Sequence, residues 1–492
     1  MSNLETSNIT VPVGSETPID TTYDIRDQNG RNALDDIEAY IGYPDNPKVI
    51  GVNCNFDTST FTRLGAARGK TAGTDFDAFN MFKNRKLCNL ADDGTVNAWY
   101  GENGYVEDGS NGQVMVYQPK FYYKTVPIKI LPIDPEIIDP EAATPEYTEP
   151  EGYHLVEVNY YISDEKLHGF KVHPAFLADD GVTEVNGIYI SAYEGSVYDV
   201  SAAKYLLYDD MSDDGNYTKS TYIIDTTADK FCSIAGVKPA SGLSNVLTRP
   251  AIEAMCQNRG SRWHSENLQV QSMEQLLYII ENTGFNSQSI SGAGVTGITD
   301  VSTDSCSVQT GATASLGNGS GVATATTMVV SSGVTNYTTT DGLNKMSVRY
   351  RGRENDWGNM YHFTNGLNIN GNGKQRGGIP YICSDHSYEE SKKTDNYKSS
   401  GITVTNGNGY IKYFGWSPYC DWAFLPTYVG NGGDSTKPVG DYIYVTANLN
   451  AYRIASLGGG WVYGAYAGAF CWYWTYGVGA RSRGVGGRLF LV

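Results

Sequence analysis

The chain has no stretch of about 18 consecutive apolar residues, so no helical membrane span and no membrane insertion are expected. Basic residues are scarce: 36 Lys and Arg stand against 54 Asp and Glu, giving a net charge of −18 with no basic stripe. Phosphate binding draws on concentrated Lys and Arg, which excludes nucleic acid as the main partner. The opening residues, MSNLETSNITVPVGSETPID, carry neither a basic start nor an apolar run, so no secretory signal is read there and synthesis in a cytoplasm is expected. The eight cysteines lie far apart, at 54, 88, 232, 256, 306, 383, 420 and 471, with no CxxC pair and no His at zinc-ligand spacing. Free, mostly buried thiols are expected, and no cofactor or metal.

Gly and Tyr are what the chain has in excess, 56 and 37 residues, while charged residues make up only 18%. That balance favours strands and ordered loops over helical bundles. Aromatic density peaks in WVYGAYAGAFCWYWTYGV, which begins at Trp461. Tyr and Trp offer large amphipathic faces at low entropic cost, so the run reads as a rigid contact surface. The other reading is a buried aromatic core. Against it, a core strand would favour aliphatic partners and would not need Gly464, Gly468, Gly477 and Gly479 between the rings.

Along the chain, residues 1–45 are polar except for Leu34, Ile37 and Ile41, which recur at helical spacing behind a candidate N-cap, Asn32. This helix either docks on a neighbour or packs on its own domain. Residues 46–111 read as a small β-rich unit broken by DDG, ENG and EDGSNG turns. Six prolines between Pro127 and Pro150, and seven acidic residues from Asp134 to Glu151, mark 131–151 as an exposed insertion. Two helices follow. Thr248 to Asn258 has Pro250 in its first turn, and in the second Ser272 and Gln275 match a capping box ahead of the apolar Leu276, Leu277 and Ile280. Residues 287–341, rich in Gly, Ser and Thr, read as long surface loops.

No catalytic group emerges from spacing. His154, His168 and His173 fit no ligand motif. Asp210, Ser212, Asp214 and Gly215 begin like a calcium loop, but its twelfth position is Thr221, so a turn is expected. Asp92-Asp93-Gly94 and Glu107-Asp108-Gly109 are likewise read as turns.

Five motifs occur in a telling order: VMVYQPKFYYK, NRGSRWHSENLQVQSMEQLLYIIEN, Trp357-Gly358-Asn359-Met360-Tyr361, Gly458-Gly459-Gly460-Trp461 and Gly486-Gly487-Arg488-Leu489. Over residues 112–492 this order resembles the C-type lectin-like fold shared by formylglycine-generating enzymes and the variable proteins of diversity-generating retroelements. The whole chain, with ADDGTVNAWYGENGYVEDGSNGQVMV, HPAF and SAYEGS, is similar to phage structural proteins. The resemblance implies a β-rich α+β fold: a C-type lectin-like receptor-binding domain at 112–492, the small β unit at 46–111 and an attachment segment at 1–45.

The same resemblance implies a non-enzymatic phage tail-tip protein of the virion that recognises a bacterial surface receptor, protein or glycan. It would form a homotrimer and join other tail or baseplate proteins through its N-terminus. In variable proteins, diversified positions come from adenine-rich codons that never reach Trp. That implies displayed positions at Val462, Tyr463, Tyr466, Tyr473, Thr475, Tyr476, Gly479, Ser482 and Gly484, with Trp474 counted among the receptor-binding residues. Trp357, Asn359, Trp461, Trp472 and Arg488 are expected to support them from below, and Arg481 and Arg483 to stack on rings or line a trimer axis.

Two alternatives remain at this stage: an oxidase of the formylglycine-generating kind, or a non-variable tail structural protein. Formylglycine-generating enzymes use two cysteines five residues apart. Here Cys471 stands at the first position and Tyr476 at the second, so Cys471 is expected to be a buried small hydrophobe.

Overall fold

A computed structural model describes residues 39, 42–44, 46–133, 152–206, 224–241, 247–298, 307–325, 327–330, 333–336, 346–370, 378–389, 394–405, 407–430, 438–446, 451–477 and 479–492. Strand content of 40% against 13% helix makes the chain a β-rich member of the α+β class. Two sheets carry most of it. The larger runs, in spatial order, through Thr60–Gly65, Ile50–Asn55, Tyr153–Ser163, Gly409–Trp416, Tyr442–Val445, Gly468–Tyr476, Tyr452–Gly458, Tyr361–Asn370, Ile379–Cys383 and Tyr397–Ser399. The smaller orders Trp263–Ser265, Leu489–Leu491, Gly187–Ser191, Gln113–Pro119, Lys86–Leu90 and Val96–Trp99.

The expected division at residue 111 is not a structural boundary. Ile50 pairs with Ile162 in the larger sheet and Lys86 with Tyr117 in the smaller, and one apolar core runs from Ile50 to Val492. The physical reason lies in segments such as IGVNCN, in which four of the six residues are buried and the other two half-buried. A short unit cannot bury such strands alone, so they join sheets built from later segments.

Helix Leu268–Asn282 lies in the core, with nearly every side chain buried. Asn267 caps it by accepting from Val270 N at 2.9 Å, which corrects the capping box expected at Ser272 and Gln275; Ser272 is buried one turn inside the helix. Two of its polar side chains bond sideways, Glu274 with Arg85 at 2.5 Å and Gln275 Nε2 with the Ala469 carbonyl at 2.8 Å, while Ser272 Oγ and Gln275 Oε1 are buried without a hydrogen-bond partner among the described residues. Helix Arg249–Gln257 starts as the sequence suggests, with Thr248 as N-cap and Pro250 in the first turn.

Residues 287–341 are not simply loops. Ser287–Ser291 is a short helix capped by Asn286, and Gly321–Thr324 pairs with Met346–Tyr350. Val295, Ile298, Val308 and Ala325 build a small satellite core with Met360 and Trp461. Isolated apolar residues in a polar stretch hide this, because no periodicity announces them. Leu34, Ile37, Ile41 and Asn32, the 134–151 part of the insertion and the Asp210–Thr221 segment lie outside the described residues. Ala39 is described and buried; its carbonyl accepts from Tyr161 Oη at 2.6 Å and Asn159 Nδ2 at 3.2 Å, tying the chain to the sheet there.

Candidate functional site

Two strands set the site. Tyr442–Val445 runs parallel to Gly468–Tyr476, with Ile443 opposite Trp472, Tyr444 opposite Tyr473 and Val445 opposite Trp474. Successive side chains point to opposite faces of a strand. Ile443, Val445, Trp472 and Trp474 therefore share the inner face, and all four are buried. Tyr442, Tyr444 and Tyr473 share the other face and remain half-exposed.

Trp474, expected in the receptor-binding set, is thus a core residue, 0% exposed and packed on Trp472 with ring centroids 5.4 Å apart. Register decides this: a residue two after the buried Trp472 must face the same way. A β-bulge acts in the opposite sense on Tyr476. Between Ile454–Tyr476 and Ser456–Tyr473 the Gly468–Tyr476 strand carries one extra residue, which turns Tyr476 onto the side of Tyr473 at 4.7 Å.

The result is a continuous row of rings. Tyr466 meets Tyr442 at 4.5 Å, Tyr442 meets Tyr444 at 4.7 Å, Tyr444 meets Tyr473 at 5.6 Å, and Tyr473 meets Tyr476. Tyr361 and Tyr463 back the row, 5.0 Å from each other, with Tyr361 at 5.3 Å from Tyr473. Burial raises the Tyr442 phenol and pushes that of Tyr476 up to about 12, so both are neutral hydrogen-bonding groups at ordinary pH.

Among the other expected contact residues, Val462 and Tyr466 are exposed, as is Gly479, while Tyr463, Thr475, Ser482 and Gly484 are half-buried. Gly479 has φ +66 with open space around it, whereas a Cβ on Gly468 would stand 2.0 Å from the Asp441 carboxylate. Gly468 is therefore a packing requirement and Gly479 a surface turn. Arg481 is exposed and Arg483 half-buried.

The residues expected to lie beneath the surface are all buried. Trp357 Nε1 donates to the Gly292 carbonyl at 2.9 Å. Asn359, at φ +57, donates to Glu194 at 2.5 Å and accepts from Val308 N at 2.8 Å. Trp461 bonds Asn359 O and Ile298 N through its backbone, and Trp472 Nε1 donates to Phe424 O at 3.1 Å. Arg488 donates to the carbonyls of Glu354 and Asn355.

Glu194 sits fully buried beside this support, and burial, only partly offset by Arg488, pushes its carboxyl up to about 8. In the unfolded chain a Glu titrates near about 4.3. Between those values the folded state holds a proton that the unfolded state has released, so stability falls as pH rises through that window. Glu194→Gln is expected to flatten this dependence: the urea midpoint should drop less between pH 5 and pH 8 in the variant than in the parent. Equal slopes would assign the effect elsewhere.

Cys471 is fully buried with Sγ 3.3 Å from Tyr361 Oη, and burial pushes its thiol up, away from the reactive thiolate. The other described cysteines are free and buried as well, and Cys306 lies outside the described residues. His154 bonds Thr427 at 2.8 Å, His173 caps the turn at Pro174, and His168 is exposed.

Sequence reasoning missed Tyr442 and Tyr444, which complete the row. The signal was the alternation in YIYV, which sets two tyrosines on one face of a short strand. It also missed a convergence of Asp179, His264 and His386, the one such group of metal-ligating side chains found among the described residues. They come from three distant segments, so no spacing motif can reveal them. No protein-family profile matches the chain, and no curated protein is significantly similar to it.

Proposed function

We propose that this chain is a receptor-binding protein of a phage tail tip, gripping a bacterial surface protein or glycan with the tyrosine row. The observation that carries the reading is the row itself: the half-exposed rings of Tyr442, Tyr444, Tyr473 and Tyr476 lie on strands whose other face is core, and the exposed Tyr466 extends the row from the adjoining turn. A surface of this kind holds its rings before binding, so little side-chain entropy remains to be lost on contact. Neutral hydroxyls spaced along it suit sugar hydroxyls or backbone amides.

The alternation of faces also supports a variable surface on a C-type lectin-like scaffold. Substitutions at Val462, Tyr466, Tyr473, Thr475, Gly479 or Ser482 alter groups that water reaches, while Trp472 and Trp474 keep the inner face filled. In this reading a homotrimer displays three such surfaces, residues 1–45 join it to tail or baseplate proteins, and avidity in the virion multiplies a weak single contact. Among the described residues no helix is long and apolar enough to cross a membrane. The sealed Cys471 thiol speaks against the oxidase alternative.

Attachment to host cells, or to immobilised cell-surface glycans, tests the reading. The Tyr466→Ala, Tyr473→Ala double variant is expected to lose at least about tenfold in affinity, as centrally placed aromatic contacts do, with an unchanged circular dichroism spectrum. Undiminished attachment by a folded variant would move the site away from this row.

A further inference from the structure

We propose that Asp179, His264 and His386 bind a divalent transition-metal ion of the zinc class. Asp179 Oδ1 lies 3.0 Å from His264 Nε2 and 2.9 Å from His386 Nδ1, and all three donor atoms fall within 4.8 Å of one another. In a tetrahedral zinc site with bonds of about 2.0–2.2 Å, neighbouring donors stand ~3.3 Å apart. The two separations to Asp179 are close to that edge length, and the two imidazole nitrogens, within 4.8 Å of each other, must draw together toward it when an ion replaces the shared protons.

The surroundings are built as they are around metal ligands. His264 Nδ1 faces Glu253 Oε1 at 2.8 Å, a carboxylate–histidine pairing that fixes ring orientation and leaves Nε2 for a ligand. Glu253 is itself held: its Oε2 accepts from Ser265 N at 2.7 Å and Ser265 Oγ at 2.9 Å, and its Oε1 from Gln257 Nε2 at 2.9 Å. Phe490 packs on both imidazoles, its ring centroid 5.6 Å from each, and gives the site an apolar wall. His386 is held at φ +56, a left-handed conformation that a non-glycine residue adopts at a cost.

Access is also present. Both histidines are buried, but the Asp179 side chain is 43% exposed, and a surface cleft of about 510 Å³ reaches His386 past Glu253, Asn365 and Tyr388. Three protein ligands leave the fourth position of a tetrahedral ion to water. The ion would join the turn at Asp179, the Trp263–Ser265 strand and the loop at His386, which are 85 and 122 residues apart in order along the chain (264 − 179 and 386 − 264). The site is separate from the tyrosine row and does not depend on the receptor-binding reading.

The full chain, stripped with a chelator and dialysed at pH 7.5, is titrated with Zn²⁺ alone by calorimetry, and with Co²⁺ to read its visible absorption. One equivalent of zinc is expected, with a four-coordinate Co²⁺ spectrum and a raised melting temperature. Asp179→Asn and His386→Gln should each weaken zinc binding at least about 100-fold, and Glu253→Gln about 10- to 100-fold, the usual effect of losing a partner that orients a ligand. Asp179 is exposed, so its variant is expected to fold; X-ray absorption on the zinc-loaded parent, which needs no variant, should show nitrogen and oxygen ligands only. Absence of zinc binding by the parent, sulfur in the metal's shell, or undiminished binding by folded Asp179→Asn would overturn the proposal. Undiminished binding by Glu253→Gln would remove the orienting role from it.

Discussion

Arg353→Ala is expected to lower the unfolding free energy by about 3–5 kcal/mol, the range found when one partner of a buried ion pair is removed. The guanidinium is 2% exposed and lies 2.5 Å from Glu266 and 2.5 Å from Asp356, both carboxylates being withdrawn from water. Burial already pushes Asp356 up to about 6 against the pull of Arg353. Without the cation, both acids must either stay charged in a poorly polarisable interior or take up protons on folding. The loss should therefore be larger at pH 8 than at pH 5, because a raised carboxyl in the folded state weakens folding as pH rises. Urea midpoints of parent and variant at the two pH values measure this. A double change, Arg353→Met with Glu266→Gln, should recover part of the loss. A shift below about 1 kcal/mol would mean that water reaches the pair.

Trp474→Ala should cost about 3–5 kcal/mol as well, for a different reason: it leaves a cavity against Trp472 and Val445 that a close-packed interior cannot fill. Tyr466→Ala, at 40% exposure, should move stability by no more than about 0.5 kcal/mol. The contrast separates two residues eight positions apart that look alike in the sequence. Trp474→Phe, which keeps most of the volume, should fold and attach to host cells like the parent. Weakened attachment by that folded variant would return the tryptophan to the contact surface. Chemical denaturation and a cell-binding measurement on the same three preparations distinguish these outcomes.

The sequence revealed class and placement better than it revealed partition. Composition pointed to strands, and the start and first-turn proline of the Arg249–Gln257 helix were readable because both are local chemistry. The second helix was found but its start was not, since Asn267 and Ser272 are both good caps and only burial chooses between them. The aromatic run was recognised as unusual, yet which rings face outward depends on register with Tyr442–Val445 and on one bulge, neither of which is a local property. The same limit explains the false boundary at residue 111. Strands at 50–65 and 86–99 look self-contained until their partners, at 153–163 and 113–119, are known.

Those distant partnerships bear on how the molecule is made. Phe490 pairs with Ile190 and Leu491 with Trp263, so the smaller sheet is joined across some three hundred positions (490 − 190). Closing loops of that size precedes any gain from the pairing, which makes acquisition of the native topology slow. Until late segments emerge from the ribosome, the Gly187–Ser191 strand offers one bare edge to whatever strand it meets first. Cooler expression and chaperone co-production should therefore raise the yield of correctly formed protein.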